Sequence, residues 1–238
     1  MLLKNKILIH NNNKWGGKME YRGYGKFLTE IISRERYGTA IFADDVAVVL
    51  ALKFAIPMEH AKKVVNVNLK RLADRGIIER LKTGIYYKAK ETVFGKTKPN
   101  IDAVMTRFLT LNGEEIIGYE TGVSFQNSIG LITLMPKIKE IATNRYRIKL
   151  DPKCHIEVCK PRTKISKENY KYLQIIDLID EFPTAYIDAA DPYILINDHI
   201  NKQGLDKLKL ISMTKKYYPN KTLQRLLDVL FEVTDETA

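Results

Sequence analysis

Residues 58–98 read MEHAKKVVNVNLKRLADRGIIERLKTGIYYKAKETVFGKTK, directly after Pro57. Ala61, Val65, Leu69 and Leu72 recur at the spacing of one helical face. Lys62, Lys63, Asn66 and Lys70 fall on the other. This spacing predicts a helix from about Glu59 to Arg75 with Gly76 as its stop. Two β-prone runs follow, Ile77–Leu81 and Ile85–Lys88. They are joined across Lys82-Thr83-Gly84, where Gly84 supplies the positive φ of a tight turn. Tyr86 and Tyr87 alternate across the second run, which predicts one in the core and the other facing out.

Upstream, Phe27, Leu28, Ile31 and Ile32 predict a helix within Tyr24–Arg36, ended by Gly38. Thr39–Phe42 is a short β-prone run. A second helix is expected to begin at Ala43 or Asp44, with acids suited to a first turn. It passes through the apolar Val46–Ile56 and stops before Pro57. Helix, short strand, two helices and a hairpin, in that order, predict a winged helix-turn-helix over residues 24–94. Thr39–Phe42 would pair with the wing as its third strand. Such a domain sets one helix in a DNA groove and its hairpin on the adjacent backbone. The candidate contacts on the helix are Lys62, Lys63, Asn66, Lys70 and Arg71. Lysine reaches phosphate or guanine, and asparagine can make a bidentate contact with adenine. On the wing they are Arg80, Lys82 and Thr83, placed for the backbone or the minor groove. A solvated helix face and an ordinary polar hairpin tip are the plainer readings of the same residues.

Charge supports the first reading. The 238 residues carry a net charge of +11, with 45% apolar and 28% charged content, as a folded globular protein does. Residues 1–98 hold 20 Lys+Arg against 9 Asp+Glu, and residues 99–238 hold 19 of each. The cationic excess is therefore confined to the first two-fifths of the chain, and phosphate binding needs clustered cations. Residues 1–18 contain Lys4, Lys6, Lys14 and Lys18 and no acid, and they differ in texture from the rest of the chain. Trp15-Gly16-Gly17-Lys18 would be encoded by a G-rich stretch, like a ribosome-binding site, just before Met19. Met19 is accordingly expected to be the natural start, and residues 1–23 an N-terminal extension. From Met19 to Lys98 the count is still 16 against 9. No apolar run approaches the roughly 20 residues of a membrane helix. The N-terminus also lacks the apolar core of a secretory signal. Cys154 and Cys159 do not make a disulfide framework and fit a reducing cytoplasm.

Gly95–Pro99 reads as a linker, and residues 100–238 as a second, mixed α/β domain with a helical end. Ile101–Leu111 is expected to be helical, Gly118–Thr133 to hold a short helix, and Lys137–Leu150 and Cys154–Cys159 to hold strands. Lys167–Glu181 is a strong amphipathic helix, and further helices are expected near 193–201, 205–217 and 221–231. Cys154-His155 with Cys159 lacks a second pair at metal-ligand spacing, so no metal or other cofactor is expected. Asp177, Asp180, Glu181, Asp188 and Asp191 are best read as a solvated helix end. They are alternatively a metal-dependent nuclease site or an acidic patch for a basic partner. No catalytic triad and no phosphate-cradling glycine loop is present, so the chain is not expected to be an enzyme.

Arg71-Leu72 through Gly76-Ile77 and Arg80, then Gly84-Ile85-Tyr86, resemble the wing signature of AbiEi-type antitoxins of type IV toxin–antitoxin systems. The similarity continues through Gly95 and Pro99, through Gly122, Asn127, Gly130-Leu131, Thr133 and Pro136, and through Thr143-Asn144. It closes on Tyr217-Tyr218-Pro219 with Leu223 and Leu226-Leu227, so it spans roughly Tyr24 to Leu230. Leu134-Met135 replace a usually polar neighbourhood, and Gln224 stands where arginine is common. The resemblance implies an antitoxin that binds inverted repeats at its own promoter and represses its operon. Its second domain would counter a co-encoded nucleotidyltransferase-like toxin. The expected partners are double-stranded DNA and that toxin, with no membrane, for a monomer or weak dimer. A ligand-responsive regulator without a toxin, and the nuclease, are the alternatives.

Overall fold

The computed structural model describes residues 23–182 and 187–231. The stretch before Met19 and the proposed start itself lie outside them. The chain divides at Asn100 and Ile101 into two compact units, each a mixture of helix and strand.

The first unit runs α1 (Gly23–Arg34), β1 (Ala40–Phe42), α2 (Ala43–Phe54), α3 (Met58–Asp74), β2 (Glu79–Lys82) and β3 (Ile85–Tyr87). Its sheet is antiparallel in the order β1-β3-β2, with Ile41 opposite Tyr86 and Arg80 opposite Tyr86 on the other side. A register shift between Arg80 and Lys82 sits just before the turn. The core gathers Leu28 and Ile32 from α1 with Val46, Ala47 and Leu50 from α2. Ala61, Val65, Leu69 and Leu72 of α3 complete it with Ile78 and Tyr86. The apolar stripe of α3 is thus the face that docks, as its period requires. Two backbone devices fix the length of this helix. Pro57 precedes its first turn, where a missing N–H costs nothing. Gly76, at φ +71°, reverses the chain so that the Ile77 N–H reaches the Leu72 carbonyl at 3.0 Å.

Two details differ from the sequence reading. Tyr86 and Tyr87 are both buried, each 4% exposed. The Tyr87 hydroxyl donates to Glu79, its ladder partner, at 2.7 Å, which satisfies the buried phenol. Burial and Glu79 push that phenol up to about 12. The expected linker 95–99 also begins inside structure. Gly95–Lys96 (β5) pair with Glu91–Thr92 (β4) as a small second hairpin, which leaves only the residues from Thr97 to Asn100 as the passage.

The second unit begins with α4 (Ile101–Thr110), the hairpin β6 (Leu111–Asn112) and β7 (Glu115–Ile116), then β8 (Gly118–Thr121) and α5 (Gly122–Ser128). It continues with β9 (Lys139–Thr143), β10 (Ile156–Cys159), α6 (Tyr170–Glu181), α7 (Pro192–Lys202), α8 (Lys207–Tyr217) and α9 (Asn220–Phe231). The sheet order is β10-β9-β8, parallel across β9–β10 and antiparallel across β8–β9. Its core joins Tyr119, Phe125 and Ala142 to Leu173, Ile176 and Ile179 of α6 and to Leu226 and Leu230 of α9. Gly118 is obligatory, because a Cβ there would lie 2.3 Å from the Leu109 carbonyl oxygen and 2.8 Å from that of Ala142. The Thr143 hydroxyl donates to the same Leu109 carbonyl, while Asn144 exchanges two hydrogen bonds with the backbone of Ile165.

Leu69 is fully buried on α3, whereas Lys70 beside it is exposed. Leu69→Ala should cost about 2–5 kcal/mol of stability and Lys70→Ala no more than about 0.5 kcal/mol. Chemical denaturation of the two variants measures both.

Candidate nucleic-acid interface

Burying the apolar stripe of α3 turns the rest of its surface outward. Lys63, Asn66, Lys70 and Arg71 are exposed. Lys62 is half-buried, with its ammonium 3.9 Å from Glu59 one turn earlier. It is the least available of the five expected contacts. At the hairpin tip the Arg80 guanidinium donates to the Thr83 hydroxyl at 2.9 Å, which aligns the two residues. Lys82 lies next to them, and Gly84 turns the chain at φ +77°. The Gly84 carbonyl accepts from the Ala43 N–H at 2.8 Å and so ties the tip to the start of α2. Asp44 and Asp45 occupy that helix's first turn and complement its dipole.

The α3 residues and the tip residues therefore belong to two separate, braced elements of one unit. The sequence reading missed what lies along α3. Val67 is 49% exposed between Lys63 and Arg71. Together with Val64 and Asn68 of α3, and with Tyr24 and Gly25 of α1, these residues line an open cleft of about 430 Å³. Asn68 donates to the Val64 carbonyl at 2.8 Å, and the Tyr24 ring stacks edge-on to Phe54 with centroids 4.8 Å apart. Only the crossing of α1 over α3 creates this cleft, so no local pattern announces it. Lys63 and Arg71 are eight residues apart, about 12 Å along a helix.

The second unit holds the other titratable groups. Of the acidic stretch, Glu181, Asp188 and Asp191 are exposed, whereas Asp177 and Asp180 are not solvated, which corrects the expectation for those two. Asp177 accepts from the Tyr119 hydroxyl at 2.6 Å and from the Tyr218 hydroxyl. Burial pushes its carboxyl above the usual range, against the pull of those two bonds. Asp180 accepts from Thr222 and from Arg162, the latter at 2.9 Å. These two acids lie on the inward side of α6, where packing against β8 and α9 dictates their partners. Glu181 is solvent-exposed as a residue, yet its carboxyl is pushed up to about 7 by partial burial, then by Glu140, Asp177 and Asp180. Asp188 instead fixes a loop by accepting from the backbone and hydroxyl of Thr133.

Neither cysteine forms a disulfide. Burial and nearby carboxylates push the Cys159 thiol up to about 11, which suits an inert side chain. His155 faces Asp102 at 3.0 Å. Among the described residues, no group of three or more His, Cys, Asp or Glu side chains is placed to hold a metal ion. A smaller cleft of about 190 Å³ is lined by Phe125, Tyr170, Gln174 and His199, among others. That is below the usual size of a small-molecule site. No helix among the described residues is long and apolar enough to cross a membrane.

Comparison with protein-family models and with curated proteins finds no match for this chain.

Because the Glu181 carboxyl is raised from 4.5 to about 7 on folding, it favours the folded state at low pH. That contribution is complete below pH 4.5 and is lost as pH rises through about 7. Relative to Glu181→Gln, the wild-type melting temperature should therefore fall across this window. Parallel thermal melts of the two proteins over that range check it.

Proposed function

We propose that the first unit is a winged helix-turn-helix that binds double-stranded DNA, and that the chain is an antitoxin and transcriptional autorepressor rather than an enzyme. The observation that carries the DNA reading is the division of α3. Four apolar residues are buried, Lys63, Asn66 and Lys70 stand outside on the opposite face, and Arg71 is exposed on the flank. The order β1-β3-β2 and the braced Arg80–Thr83 tip give this helix the neighbours that such a domain uses. In this reading α3 enters a major groove, with Asn66 reading a base edge and Lys63, Lys70 and Arg71 reaching phosphates. Lys62 is secondary because of Glu59. Arg80, Lys82 and Thr83 meet the flanking backbone.

The antitoxin half rests on the resemblance that runs from the wing signature to Tyr217-Tyr218-Pro219. Several residues of that pattern build the second unit: Asn144 holds Ile165, Asn127 donates to the Ile132 carbonyl, and Tyr218 grips Asp177. The nuclease alternative loses ground, since Asp177 and Asp180 are engaged by hydroxyls and Arg162.

The test is binding to a duplex carrying the sequence upstream of the coding region, across a series of salt concentrations. Lys63→Ala with Lys70→Ala should weaken binding to all sequences and reduce the salt slope by about two units, roughly one per phosphate contact. Asn66→Ala should relax preference at one base pair and leave the slope alone. Equal binding by wild type and the double variant would remove α3 from the interface. Co-expression with a nucleotidyltransferase-like product of an adjacent gene tests the antitoxin half, with rescue of growth as the expected result.

A further inference from the structure

Among the described residues, the most exposed large apolar side chains stand together. Val93 is 99% and Phe94 101% exposed, at the tip of the β4–β5 hairpin. The hairpin is braced from tip to base. The Thr92 hydroxyl donates to the Gly95 carbonyl and accepts from the Phe94 N–H, closing the turn from within. Lys90 and Thr97 exchange two hydrogen bonds at the base, at 2.9 and 3.0 Å. The Lys96 ammonium lies 2.7 Å from one Glu79 oxygen while Tyr87 donates to the other, so the hairpin is tied to the main sheet. A lone exposed apolar residue needs no explanation. An adjacent Val–Phe pair, both burying nothing and held out on a braced stalk, is built for contact.

Charge identifies the occupant. From Lys82 to Lys98 the chain has five lysines and one acid, Glu91. Lys88 is engaged at the end of α1, on the Ser33 and Glu35 carbonyls, and Lys96 is engaged with Glu79. Lys90 and Lys98 are exposed at the hairpin base. An apolar tip with cations behind it complements stacked bases framed by phosphates. A second copy of the chain would bring two lysine sets together and be repelled.

We propose that the Val93–Phe94 tip is a wedge for duplex DNA. Phe94 enters an opened base step, with Lys90 and Lys98 on the flanking phosphates. This rests on the DNA-binding reading of the first unit and adds a second contact beyond α3 and the β2–β3 tip. Phe94→Ala removes no packing, so its melting temperature should match wild type. On the upstream duplex it should bind about ten-fold more weakly, the loss of one base–aromatic stack. The salt slope should be unchanged, because no phosphate contact is removed. End-to-end fluorescence energy transfer across the duplex should show a bend with wild type and with Phe94→Trp, and a straighter duplex with Phe94→Ala. Wild-type affinity and bend in Phe94→Ala, with Lys63→Ala/Lys70→Ala weakened, would overturn the wedge alone. A wild-type dimer that Phe94→Ala converts to monomer in sedimentation would assign the tip to self-association and overturn it too. Failure of wild type to bind the duplex at low salt would overturn both readings.

Discussion

The burial of four side chains on α3 governs the first unit. Ala61, Val65 and Leu69 have no exposed surface and Leu72 very little. Placing them against α1 and α2 fixes the rotation of α3 about its axis. A period of 3.6 residues then leaves Lys63, Asn66, Lys70 and Arg71 no other direction than outward. The apolar contacts supply the stability, and the polar face is their geometric consequence. Pro57 and Gly76 set where that face begins and ends, and the turn after Gly76 delivers the chain to the sheet that carries Arg80 and Thr83.

The second unit depends on a different kind of constraint. Asp177 sits among Tyr119 and Tyr218, so one carboxylate joins β8, α6 and the C-terminal cap of α8. Asp180 repeats the arrangement one turn on, through Thr222 and Arg162. A buried acid with a full set of donors specifies which helix packs where, since any other packing leaves it unpartnered. These carboxylates fix architecture.

Much of the first unit is legible in its sequence because the signals are local. The α3 stripe, the Pro57 start and the Gly84 turn each follow from a few neighbouring residues. The fate of Tyr87 was not legible, because Glu79, the acid that accepts from its hydroxyl, lies across the ladder. The β4–β5 hairpin was hidden by strands of two residues, too short to alternate, and by a glycine that suits a linker equally well. The cleft beside Lys63 and Arg71 arises from the crossing of two helices far apart in sequence. The acids of α6 did carry a usable signal. Asp177 follows Leu173 by four residues, and Asp180 follows Ile176 by four, which places both near the apolar stripe. An acid within such a stripe asks for a buried partner, and its donors, Tyr119, Tyr218 and Thr222, lie too far along the chain to be paired by spacing.

Under the proposed function the outward face of α3 meets DNA. Backbone amide chemical shifts, followed as duplex DNA carrying the upstream sequence is added, test it most directly. Shifts concentrated at residues 62–71 and 80–84 are the expected result. Shifts confined to the second unit, or none at saturating duplex and low salt, would contradict it.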